Sequence, residues 1–142
     1  MRLAGIAVLA AGAVFLGACA SAPRPQEITL TAMTMTYNPS LLEVTAGVPI
    51  ELTLVNQDSL EHDFSILEIP VESVSAADPM SAEHQMQMGE AALEPVLHVA
   101  AEAGATNRLT FTPTKPDRYE FYCTVPGHKE AGMVGTLVVN PP

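Results

Sequence analysis

From Glu27 onward, hydrophobic and polar positions alternate with a period of two. Val48, Ile50, Leu52 and Leu54 are interleaved with Pro49, Glu51, Thr53 and Val55, the pattern of a strand that rests one face on a core. Leu42 and Val44 predict a short strand before it, with Ala46-Gly47 as the turn. In the first strand, Ile28 and Leu30 share one phase, whereas Met33, Met35 and Tyr37 share the other. One extra residue near Thr31-Ala32 would reconcile the two phases, so a β-bulge is predicted there. His62, Phe64 and Ile66 form one inward row, and Tyr119, Phe121 and Cys123 form another. Further strands are predicted over 93–100, 107–112 and 134–139. About seven to eight short strands with frequent turns predict an all-β fold, a Greek-key β-sandwich.

Residues 71–94 interrupt this pattern. Asp78-Pro79 reads as an N-cap and first helical residue, and 82–93 has helical propensity despite Gly89, which predicts one helix-bearing excursion between strands. On such a helix Met80, His84 and Met88 would share a face, with Met86 nearby. Soft donors in a row could hold Cu(I) as a secondary site, although methionines at this spacing also serve simply to pack on a sheet.

The N-terminus forms a separate unit. Met1-Arg2 precedes an apolar run over 3–16 that is shorter than the roughly 20 residues needed to cross a bilayer. A basic start, a short apolar core and small residues predict an export signal over 1–18. The ending Leu16-Gly17-Ala18-Cys19 resembles a bacterial lipobox, which implies lipidation at Cys19, a tether over 19–26 and one domain over 27–142. The tether carries Pro23 and Pro25; extended at about 3.1 Å per residue it would reach roughly 20 Å. Such a protein is expected to be an exported, membrane-anchored lipoprotein facing the periplasm or the cell exterior. With Cys19 acylated, Cys123 is the only thiol left for the folded domain, and no internal disulfide is possible.

The length of 142 residues fits a single domain. With Lys+Arg at 6 and Asp+Glu at 16, the formal net charge is −10, which argues against nucleic acid as a partner because phosphate binding needs a basic surface. An acidic surface suits a basic protein partner, or serves only solubility.

The chemistry concentrates in Tyr122-Cys123-Thr124-Val125-Pro126-Gly127-His128-Lys129-Glu130-Ala131-Gly132-Met133. A thiolate, an imidazole and a thioether suit copper in both oxidation states, and a trigonal pair of histidines plus cysteine with a weak axial methionine is the pattern of blue-copper electron transfer. A second histidine must come from elsewhere, and Asn56-Gln57-Asp58-Ser59-Leu60-Glu61-His62-Asp63-Phe64 offers His62. By these two segments the stretch from residue 27 to residue 140 resembles the cupredoxins, the small blue copper proteins. The Cys-x₄-His-x₄-Met spacing is similar to that of rusticyanin and auracyanin, and longer between Cys and His than in plastocyanin.

The resemblance implies one copper ion held by His62, Cys123, His128 and Met133. It also implies a support in which Asp63, where the family usually has Asn, ties to Thr124 and so joins the two ligand segments. Electron entry is then expected at the exposed edge of His128, where a redox partner such as a cytochrome, oxidase or reductase would dock. His98 matches no motif and reads as a structural or surface histidine. The expected function is that of a membrane-tethered one-electron carrier, with periplasmic copper handling through residues 80–88, as a chaperone or store, as the alternative. Catalysis is not expected, because the chain has one domain, four histidines and none adjoining Cys123.

Overall fold

Alternation becomes ten strands among residues 24–76 and 94–142, the residues that this computed structural model describes. They are β1 (Gln26–Met33), β2 (Thr36–Asn38), β3 (Leu41–Thr45), β4 (Ile50–Asn56), β5 (His62–Ile66), β6 (Val71–Ala76), β7 (Leu97–Ala101), β8 (Thr106–Pro113), β9 (Asp117–Tyr122) and β10 (Val134–Asn140). Two five-stranded sheets result, ordered β2-β1-β4-β8-β6 and β3-β10-β9-β5-β7. β1 with β4 and β3 with β10 are parallel, and the other pairs are antiparallel. Apart from the hairpins β1–β2 and β9–β10, successive strands pass from one sheet to the other, as in a Greek-key sandwich.

The inward phases meet between the sheets. Ile50, Leu52 and Leu54 of β4 pack with Leu109 and Phe111 of β8 on one side, and Phe64, Val99, Phe121 and Leu137 face them from the other; all are fully buried. Each such side chain contributes about 1.5–3 kcal/mol by leaving water, so the period-two rows are the main source of stability.

Two expectations need correction. The bulge predicted at Thr31-Ala32 is absent, because β1 pairs with β4 in unbroken register from Gln26↔Ile50 to Ala32↔Asn56. The change of phase occurs instead in the two-residue turn Thr34-Met35, where both residues have positive φ (51° and 56°). That turn places Tyr37 opposite Ala32, so both face inward while Met33 faces solvent. A bulge does occur between Glu72 and Val74, at Ser73 with φ 59°. Finally, the strand count is ten, because β2 is only three residues long and the edge strand β6 has no buried phase to mark it. The predicted helix over 82–93, the expected leader and Cys19 lie outside the described residues, as do Met80, His84, Met86 and Met88.

Phe121 joins the core to the end of β9. Its ring lies edge-on to Tyr37 (5.2 Å between centroids, 64°) and tilted against Phe64 (5.0 Å). Its third neighbour is Gly135, opposite it on β10. A Cβ at Gly135 would lie 2.1 Å from Phe121 Cζ and 2.7 Å from the Ser40 carbonyl oxygen, which is itself held by Thr136 N–H (2.8 Å). Neither neighbour has room to yield. Gly135→Ala is therefore expected to destabilise the domain by about 1–3 kcal/mol, the range for overpacking a filled core, read as a lower denaturant midpoint. Adding Phe121→Leu should recover part of that loss; full stability in Gly135→Ala alone would contradict this packing.

Candidate metal centre

β5 and β9 are neighbours, yet their ladder has one paired position, Ser65↔Tyr122. Beyond it the strand ends separate, and His62 at the start of β5 and Cys123 just after β9 face each other across the gap. His128, from the following loop, completes the group. One donor atom from each of His62, Cys123 and His128 lies within 4.8 Å of the others, and all three residues are buried. Cys123 Sγ is 3.3 Å from His128 Nδ1, and the two imidazoles are 5.0 Å apart, inclined at 52°.

The loop from Cys123 to Met133 is braced by its own backbone. Cys123 N–H donates to Met133 O (3.2 Å) across the neck, Met133 N–H to His128 O (3.0 Å), His128 N–H to Val125 O (3.0 Å) and Ala131 N–H to Gly127 O (3.0 Å). Gly127 and Gly132 adopt φ of 84° and 99°, which other residues adopt only with strain. This places Met133, fully buried, directly across the neck from Cys123.

His62 is held from its far side. Its Nε2 is 3.3 Å from Asp58 Oδ2, while its Nδ1 is buried with no hydrogen-bond partner in the protein. Asp58 Oδ2 also accepts from Thr34 N–H (2.8 Å), so the β1–β2 turn supports this histidine indirectly. Bonds from the Ser59 backbone, from His62 and from Thr34 hold the Asp58 carboxyl down at about 2. The i,i+4 spacing of Asp58 and His62 was the available sequence signal for this role.

Asp63 faces away from His62 and is fully buried. Thr124 N–H donates to both its oxygens (3.0 and 2.9 Å), Thr124 Oγ1 donates to Oδ2 (2.8 Å) and Ser65 Oγ lies 2.8 Å from Oδ1. Every one of these neighbours can donate, so an acceptor-only carboxylate suits this position where an amide would turn an N–H toward a donor. The Asp63 backbone N–H points at Cys123 Sγ (3.5 Å), and its carbonyl accepts from the Tyr37 hydroxyl. Tyr37 thus stands beside the cysteine, a position that only its inward phase hinted at.

Burial pushes the Cys123 thiol up to about 12, with the neighbouring Asp63 charge acting in the same direction; backbone N–H groups of Asp63 and Val125 act against them. Burial also lowers His128, assisted by the proximity of His62. The Tyr37 hydroxyl is raised by desolvation and then by Cys123 and Asp63.

These donors fit a metal ion. A buried imidazole nitrogen with no protein partner, beside a second imidazole and a thiol, is costly without a ligand, and this nitrogen-sulfur set is one that copper favours. A sandwich with this centre at one pole defines a mononuclear copper protein. The chain belongs to the cupredoxin-like domain family, whose model matches residues 5–139, and its cofactor is copper. Among its relatives, the copper-resistant cuproprotein CopI of Pseudomonas aeruginosa is 31% identical over 145 residues, covering 86% of this chain and 79% of that protein. CopI of Rubrivivax gelatinosus is 32% identical over 124 residues, covering 87% and 71%. In structure the fold is similar to auracyanin B, with a TM-score of 0.62, 25% identity and coverage of 83% of this chain and 91% of that one.

Because Cys123 holds its proton up to about 12 while His128 is lowered, metal uptake at neutral pH must expel the thiol proton. The sign follows: raising pH lowers the cost of that expulsion. Apparent Cu(II) affinity is expected to rise about tenfold per pH unit between roughly pH 7 and 9 for one released proton, measured by competition with a chelator of known pH dependence. A pH-independent affinity would contradict it.

Proposed function

We propose that this chain is an exported blue (type 1) copper protein that carries single electrons between redox proteins, with His62, Cys123, His128 and Met133 as the ligands. The observation that carries the reading is the partnerless, buried Nδ1 of His62 within reach of the Cys123 and His128 donors. Copper so bound would supply a reversible one-electron couple. The protein's part is to hold the donors still: Asp58 fixes the His62 ring, the closed backbone of the Cys123–Met133 loop fixes His128, and Asp63 ties Thr124 to β5. Small rearrangement between oxidation states is what fast electron exchange requires.

His128 is 6% exposed, and Pro126, Gly127, Ala131 and Gly132 around it are either small or apolar and exposed. A redox partner docks on this rim, as brief encounters use small interfaces. Lipidation at Cys19 tethers the domain to a membrane.

The purified domain with Cu(II) is expected to show the intense visible band of a copper thiolate, which Cys123→Ser abolishes; an absent band in the loaded wild type would reject the assignment. Ala131→Glu should leave that band intact while lowering the second-order rate of electron exchange with a small redox protein by at least several-fold, read by stopped-flow mixing.

A second reading, copper handling, is favoured by the two CopI relatives, which match most of the chain and are named for copper resistance. Binding of more than one Cu(I) per chain, lost when Met80, His84, Met86 and Met88 are replaced, would support it.

A further inference from the structure

Asp63 is connected beyond Thr124. Ser65 Oγ lies 2.8 Å from Asp63 Oδ1 and 2.8 Å from His98 Nδ1, across the Ser65↔His98 pair of β5 and β7. Ser65 is fully buried and His98 partly so. A serine hydroxyl has one hydrogen. An ionised Asp63 can only accept, so that hydrogen goes to Asp63, and the contact with His98 is then made by an N–H on Nδ1 donating to Ser65. The result is a line of donors, His98 to Ser65 to Asp63, that ends 3.5 Å from Cys123 Sγ.

We propose that His98 is a positioning residue for the copper centre: through Ser65 it draws the Asp63 charge away from the Cys123 sulfur and so raises the preference of the site for Cu(I) over Cu(II). This rests on the ligand set proposed above. A carboxylate beside a copper thiolate favours the higher-charged ion, and hydrogen bonds to a charged acceptor are the strong ones. Each donor on Asp63 therefore weakens that bias. His98 lies on a strand bearing no proposed ligand, and its influence passes through two hydrogen bonds.

The test is the reduction potential of the copper-loaded protein, with its visible band recorded in parallel. Ser65→Ala is expected to lower the Cu(I)-over-Cu(II) preference about tenfold, about 59 mV for one electron. His98→Ala should lower it about threefold, and His98→Asn, whose amide N–H overlies Nδ1, should restore it. In an Asp63→Asn background Ser65→Ala should shift the potential much less. In the apoprotein, ¹⁵N NMR should find a proton on His98 Nδ1. A wild type without the band would sink the ligand assignment itself. A wild type with the band, but unchanged potentials in both variants, would overturn this proposal alone, as would a His98 protonated only on Nε2 or a full Ser65→Ala shift without the Asp63 charge.

Discussion

The copper end of the molecule depends on one buried carboxylate. β5 and β9 pair by backbone at Ser65↔Tyr122 and then part, and the two segments that bring His62 and Cys123 together are held in place beyond that point by Asp63 gripping Thr124. A continued ladder would bring the strands to within about 5 Å and close the gap between His62 and Cys123. A side-chain clamp keeps the ends joined but apart. Burying an ion this way costs several kcal/mol unless its oxygens are well supplied with donors, which accounts for the convergence of Thr124 and Ser65 on Asp63. The same charge reaches the sulfur and helps push the thiol up, so the group that organises the site also affects its chemistry.

Much of this was legible in the chain because the core and the loop follow simple periodicities. The predicted rows are buried at Ile50, Leu52 and Leu54, at His62, Phe64 and Ile66 and at Phe121 and Cys123, whereas Val48 and Tyr119 at the row ends are only partly buried and β5 also buries the alternate positions Asp63 and Ser65. The Cys123, His128 and Met133 spacing marks one short loop between strands, and the structure brings His62 to it. What escaped was set by geometry without a period. A two-residue turn with positive φ at Thr34 and Met35 shifts the phase of the first hairpin without a bulge, and neither residue is of a type that announces it. β6 has no alternation because it is an exposed edge.

The polar supports were hidden for a different reason. Asp58, Tyr37, Ser65 and His98 act through contacts that join separate turns and strands, and a polar residue in a strand does not reveal which way its hydrogen points. The departure from Asn at position 63 raised the question of how an acceptor-only group could serve there. The surroundings answer it, since Thr124 and Ser65 come to it as donors.

Gly135 sits two positions past Met133, against the ring of Phe121 and the carbonyl of Ser40. No side chain fits there, whatever the protein's role. Such a glycine, adjoining the Cys123–Met133 loop, is required by the space around it and not by the chemistry of the centre. A substitution at this pole can thus fail for two independent reasons, and only the space around each residue tells a steric veto from a functional demand.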